Sequence, residues 1–244
     1  MTAIDTSGLE VRYGETIAVT GVDLRVPAGS LLSVIGPNGA GKSALLNALA
    51  GTAELSGGSC CVSGTAPALV LQATDVDRSL PITVFDVVSL ARYSRLGLFR
   101  RFRPADRHAV TQAIERLEIA NLATAQFHNL SGGERQRVLV AQGLAQQAEV
   151  LLLDEPVNGL DIISRAIIKE VIGEEVHSGK TVVVTTHSLD DARHSDQVLL
   201  LSTCPICVGR PQEVLTEKHL SKAFGGNFMR VGNKFVLDDP HHAH

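Results

Sequence analysis

The stretch LLSVIGPNGAGKSALLNALAG (31–51) joins an apolar run of strand length to a helical run through a glycine-rich loop. LLSVI (31–35) reads as a buried strand, ALLNALA (44–50) as a helix, and Gly51 as the residue that stops it. The loop between them satisfies G-x-x-x-x-G-K-[ST], and the pattern carries weight here because it lies between a strand and a helix. Glycines at such a junction let the backbone fold into a nest of inward-facing N–H groups, and the helix start adds the positive end of its dipole. Both attract phosphate. The cradle takes in Gly36, Pro37, Asn38, Gly39, Ala40, Gly41, Lys42, Ser43 and Ala44. Lys42 is placed to reach the outer phosphates of a nucleotide such as ATP, and Ser43 to ligate Mg²⁺.

Outward from this loop, VLLL (150–153) and TVVVTT (181–186) read as further buried strands, and helical segments alternate with them. That alternation predicts an α/β fold with a mostly parallel core sheet. VDLRV (22–26) instead alternates apolar and charged residues, as a half-exposed strand of a separate antiparallel subdomain does. Residues from about 80 to 147 read as a helical insertion: Thr83 and Asp86 form a capping pair, and Val84, Val87, Val88 and Ala91 share one face. The domain is expected over 1–230 and a polar tail over 231–244. The end LDDPHHAH (237–244) is proline-broken and expected to be mobile; its three histidines beside Asp238 and Asp239 would bind a metal ion only weakly.

VLLLDEP (150–156) supplies what a phosphate cradle lacks for hydrolysis. A buried strand ends in two adjacent acids: Asp154, suited to holding Mg²⁺, and Glu155, suited to polarising an attacking water as general base. Gln72 closes ALVLQ and His187 closes TVVVTTH, and the carboxyl ends of strands in open parallel sheets are where ligands sit. Gln72 would contact Mg²⁺ and the water, and His187 the γ-phosphate or the water. In HNLSGGERQRVLVAQ (128–142), Ser131 and Glu134 make a capping box, which accounts for both without a ligand. Gly132 and Gly133 are not explained that way. Their missing side chains would leave a helix start open as a second phosphate-binding surface, whose natural partner is nucleotide held by another copy.

Together GPNGAGKS, LVLQ, LSGGERQR, VLLLDEP, NGLD and TTH, in that order over about residues 8–226, resemble the nucleotide-binding subunit of an ATP-binding cassette (ABC) transporter. The resemblance implies a P-loop NTPase fold and a head-to-tail homodimer, each ATP lying between one copy's cradle and the other's Ser131–Glu134 segment. It implies that Tyr13 stacks on adenine and that Asp161 communicates across the dimer interface. It also implies separate transmembrane permease subunits docking on the helical insertion and, for an importer, an extracytoplasmic solute-binding protein.

Bulk properties agree. A net charge of −4 gives no basic footprint for nucleic acid, and the arginines of RYSRLGLFRRFR (92–103) read as a solvated face or loop. No apolar run reaches the roughly 18 residues that span a bilayer, and no signal peptide opens the sequence, so a peripheral place on the cytoplasmic face of the membrane is expected. Cys60, Cys61, Cys204 and Cys207 do not suggest a disulfide framework; the C-x-x-C pair at 204–207 follows VLLLS at an expected hairpin, where small residues pack. Soluble relatives acting on DNA or ribosomes carry two cassettes or long coiled coils, and neither is present. Segments 80–107 and 209–226 are similar to the cassettes of manganese, zinc and chelated-iron importers, with siderophore or cobalamin importers as the rival cargo class.

Overall fold

The apolar runs become neighbouring strands of one sheet. The computed structural model describes residues 1–72, 81–96, 102–225, 228–231 and 234–237. Its six-stranded sheet has the spatial order β5 (Ala68–Val70), β6 (Val150–Leu153), β7 (Thr181–Thr185), β3 (Leu31–Ile35), β8 (Gln197–Ser202) and β9 (Cys204–Gly209). Every neighbouring pair is parallel except β8 and β9. The central strands lack polar alternation because both their faces are covered. In β6, Leu151 and Leu153 pack under the helical region while Val150 and Leu152 pack on the opposite face; β7 repeats the division with Val182 and Val184 against Val183.

A second sheet, order β2 (Thr16–Pro27), β1 (Thr2–Tyr13), β4 (Gly57–Val62), is antiparallel. As its alternation predicts, Val22, Leu24 and Val26 are buried and Asp23 and Arg25 are exposed. Helix α1 (Lys42–Leu49) shares a core with this sheet through Leu45, Leu46 and Leu49, which meet Leu9, Val11 and Val19. The core thus anchors the phosphate loop at the start of α1.

The expected helical insertion is α2 (Val84–Leu96), α3 (Pro104–Arg116), two short 3₁₀ turns (Ala120–Leu122 and Phe127–Asn129) and α4 (Gly132–Ala145). Thr83 and Asp86 cap α2 reciprocally, the Asp86 amide donating to the Thr83 hydroxyl (3.2 Å) and the Thr83 amide to the Asp86 carboxylate (3.1 Å). Val84, Val87, Val88 and Ala91 are all buried. Arg92 departs from the solvated reading: its guanidinium pairs with Asp106 of α3 (2.8 Å) and donates to the Ala145 carbonyl at the end of α4 (3.0 Å). It ties three helices together. Residues 97–101 of that arginine run lie outside the described residues.

Four more helices follow: α5 (Ile162–His177), α6 (Leu189–Ala192), α7 (Pro211–Val214) and α8 (Glu217–Phe224). The last three cover β8 through Leu189, Val214 and Leu220. The tail expected from residue 231 begins instead inside a hairpin, β10 (Phe228–Val231) pairing antiparallel with β11 (Lys234–Leu237). The histidines at 241, 242 and 244 lie outside the described residues. Cys204 and Cys207 both stand on β9; Cys207 packs partly against the β8 core as expected, but Cys204 is exposed. Among the described residues no helix is long and apolar enough to cross a membrane.

Candidate active site

Strand β7 pairs with both β3 and β6, so the loops leaving the carboxyl ends of these three strands meet. The loop after β3 is held from two sides. At Gly36 a Cβ would run into the Leu201 carbonyl and the Ala40 methyl; at Gly41, whose φ is 90°, it would strike the Ala18 carbonyl. The Thr203 amide donates to the Ala40 carbonyl (3.0 Å) and the Thr20 amide to the Thr203 carbonyl (2.8 Å), which fastens the loop to β2 and to the β8–β9 turn. A groove of about 390 Å³ lies over the loop, lined by Thr16, Ile17, Ala18, Asn38 to Ala44, and Glu155.

Lys42 is 7% exposed, and its ammonium donates to the Gly36 (3.0 Å) and Pro37 (3.2 Å) carbonyls. The Glu155 carboxylate is 3.7 Å away. Burial draws the lysine below its usual pKa range, although the charges of Glu155 and Asp154 oppose the shift. Ser43 is exposed on the first turn of α1.

The two acids leave β6 with different surroundings. Asp154 is 8% exposed; its Oδ1 accepts from the Thr185 hydroxyl (2.6 Å), and its amide donates to the Val70 carbonyl (2.9 Å). Glu155 has φ 47°, a left-handed conformation costly for a residue with a side chain, and its amide donates to Thr185 Oγ1 (2.8 Å). Its Oε1 lies 2.5 Å from His187 Nε2 and its Oε2 accepts from the Asn158 amide nitrogen (2.9 Å). Burial pushes this carboxyl up, but the hydrogen bond from His187, the charges of His187 and Lys42, and the Asn158 bond outweigh it and hold the group below the ordinary carboxylate range. Lys42, Asp154, Glu155 and His187 therefore form one cluster beside the groove.

The remaining sequence candidates lie elsewhere on the chain. Gln72 is exposed two residues beyond the end of β5, which stops at Val70 rather than running through ALVLQ. Tyr13 is 56% exposed at the end of β1, where it pairs with Thr16, a residue of the groove. Ser131 and Glu134 form the expected box at the start of α4: the glutamate accepts the Ser131 amide (2.8 Å) and its own amide donates to the serine oxygen (3.3 Å). Neither they nor Gly132 and Gly133 are among the residues that line the chain's own groove. The two glycines differ. A Cβ at Gly132 would meet nothing within 4 Å, whereas at Gly133 it would collide with the Asp161 carboxylate and the Ser164 hydroxyl of the same chain. Gly133 is buried where α4 meets the start of α5, so its missing side chain also leaves room for these two groups of its own chain. Asp161 caps α5, accepting the Ser164 amide (2.8 Å).

Thr185 and Asn158 hold the two acids but were not singled out in the sequence. The available signal for Thr185 was a hydroxyl at the end of a fully buried strand, which must find partners.

A glycine loop packed between a strand and a helix, with paired acids at the end of a strand one removed, defines a P-loop nucleotide-binding protein. Residues 19–158 match the family described as ABC transporter, and the chain belongs to that family. It is similar to the manganese transport system ATP-binding protein MntB of Listeria monocytogenes, 34% identical over 91% of this chain and 96% of that protein. It is likewise similar to the zinc transport system ATP-binding protein TroB of Treponema pallidum, 34% identical over 97% of this chain and 94% of that protein. Among solved structures, a chain of a transporter described as of the metal-chelate ABC type, in an inward-facing conformation, superposes with a TM-score of 0.84 at 26% identity, covering 97% of this chain and 96% of that one. This chain is accordingly a nucleotide-binding ATPase subunit of ABC type.

Proposed function

We propose that the chain is the ATP-hydrolysing subunit of a bacterial importer for metal ions, manganese or zinc. The observation that carries the hydrolytic reading is the cluster of Lys42, Asp154, Glu155 and His187 beside the groove over the phosphate loop. The cargo rests on MntB and TroB, which match nearly the whole chain.

The donor set suits Mg²⁺ with a triphosphate. Ser43 offers a hydroxyl on the first helical turn, Asp154 keeps a carboxylate oxygen beyond the one bound by Thr185, and Gln72 stands two residues beyond the end of the adjacent strand. The ion supplies charge neutralisation on the phosphates during transfer. Lys42, now satisfied by two backbone carbonyls and facing Glu155, exchanges these partners for the outer phosphates. That exchange frees Glu155 to take a proton from water as general base, with His187 and Asn158 orienting its two oxygens. Tyr13, which pairs with the groove residue Thr16, stacks on the base.

Ser131, Gly132, Gly133 and Glu134 do not line the chain's own groove, which supports the reading that they face nucleotide held by a second copy, with Asp161 near the junction. The working unit is a homodimer on the cytoplasmic face of the membrane. It docks on transmembrane permease subunits through the helical insertion and receives cargo from an extracytoplasmic solute-binding protein.

Glu155→Gln tests the chemistry: turnover falls about 10² to 10⁴-fold with ATP binding retained. Lost binding, or unchanged turnover, contradicts the role. Manganese and zinc uptake by cells lacking the chain tests the cargo. Normal accumulation of both, with impaired siderophore-iron or cobalamin uptake, would assign the rival class.

A further inference from the structure

Thr185 is the last residue of β7 and is fully buried, on a strand whose neighbouring residues Val182, Val183 and Val184 are packing groups. A threonine hydroxyl has one proton to give and lone pairs to receive. Here the proton goes to Asp154 Oδ1 (2.6 Å), and a lone pair accepts the Glu155 amide (2.8 Å). One oxygen from β7 thus grips two successive residues leaving β6. The two bonds do different things. The first fixes which way the Asp154 carboxylate is turned; the second pins the peptide between the two acids, and with it the left-handed backbone of Glu155 at φ 47°. The branched Cβ restricts χ1 and keeps the oxygen between its partners.

From this geometry we infer that Thr185 is a positioning residue for both acids, setting the orientation of the Mg²⁺-binding carboxylate and the pose of the general base. The inference rests on the roles given above to Asp154 and Glu155. Thr185 touches neither nucleotide nor water in this account; it acts through the two residues it holds. Asn158 and His187 hold the Glu155 side chain, whereas Thr185 alone among the described hydrogen bonds joins Asp154 and Glu155 through one atom.

The test compares Thr185→Val, which keeps the shape and loses both bonds, with Thr185→Ser, which keeps the hydroxyl and loses a methyl group. Nucleotide affinity is measured on the full chain in EDTA and in Mg²⁺, alongside kcat, KM for ATP, the Mg²⁺ concentration giving half-maximal activity, and the unfolding midpoint. For the valine variant, affinity in EDTA stays within about twofold of wild type, the half-maximal Mg²⁺ concentration rises about tenfold and kcat falls about 10- to 100-fold, as for other residues that orient metal ligands. The serine variant recovers most of both losses. If the valine variant does not fold, Thr185→Ala, which removes the same two bonds and leaves room for water, takes its place with the same expectation.

An unchanged Mg²⁺ dependence in the bond-deleting variant overturns the inference, as does a serine variant impaired as badly as the valine one. Glu155→Gln run in parallel separates the two readings. If it keeps full turnover, the general-base reading fails; if it is inactive while Thr185→Val behaves as wild type, only the role of Thr185 falls.

Discussion

Gly133→Ala isolates the reading of the α4 start in which the two glycines serve different purposes. The added methyl would occupy space now filled by the Asp161 carboxylate and the Ser164 hydroxyl. These are short side chains, and they are already committed, since Asp161 accepts the Ser164 amide as the N-cap of α5. Making room means turning Asp161 away, and losing such a cap costs about 0.5–2 kcal/mol. Residual crowding adds to this, because overpacking a fitted contact costs about 1–3 kcal/mol when it cannot relax. Together these come to about 1.5–5 kcal/mol, which corresponds to a Tm lower by roughly 3–20 °C for a chain of this size. Gly132→Ala meets nothing within 4 Å, so its Tm stays within about 1 °C of wild type or rises slightly. ATPase activity should separate from stability in the opposite sense: under the proposed two-copy arrangement the Gly132 variant loses turnover, its new methyl crowding nucleotide on the partner copy. Thermal unfolding by circular dichroism and steady-state ATPase assays on both variants decide the matter. A Gly133 variant as stable as wild type, or a Gly132 variant that unfolds early, would refute the distinction.

Asp106 carries a pH prediction. The Arg103 amide and the Arg92 guanidinium hold its carboxyl below the ordinary range, so its ionised form favours the folded state. That contribution is complete above the unfolded value of about 3.9 and disappears as pH falls through the lower folded value. The Tm gap between wild type and Asp106→Asn should therefore be widest near pH 6 and close as pH falls below about 4; a gap constant from pH 6 to pH 3 contradicts it. Gly41→Ala places a Cβ against the Ala18 carbonyl at φ 90°, so nucleotide affinity should fall about tenfold or more, equivalent to about 1.4 kcal/mol. Wild-type affinity on titration would show that the loop does not depend on this close approach.

The parallel core was legible because strands buried on both faces are apolar without interruption, and VDLRV betrayed the outer sheet by its alternation. The phosphate loop, the acids after β6 and His187 each carried a local mark, a motif or a strand end. Less local features were not readable. β5 ends at Val70 because its partner β6 ends opposite it at Leu153, so Gln72 falls beyond the ladder. Gly133 answers to Asp161 and Ser164, about thirty positions away, and Arg92 to a carbonyl more than fifty positions on; neither partner follows from periodicity. Thr185 looked like one more β-branched residue in a valine-rich strand. The hairpin at 228–237 did leave a sign, two short apolar runs, FMRV (228–231) and KFVL (234–237), on either side of a Gly-Asn pair.

The central claim is that nucleotide is enclosed by two copies, the cradle of one facing the α4 start of the other. Sedimentation velocity on Glu155→Gln with Mg²⁺ and ATP tests it most directly. The account predicts a shift from one chain to two on addition of ATP, abolished when Ser131→Arg is introduced into the same variant. A variant fully loaded with ATP that still sediments as a single chain would contradict it.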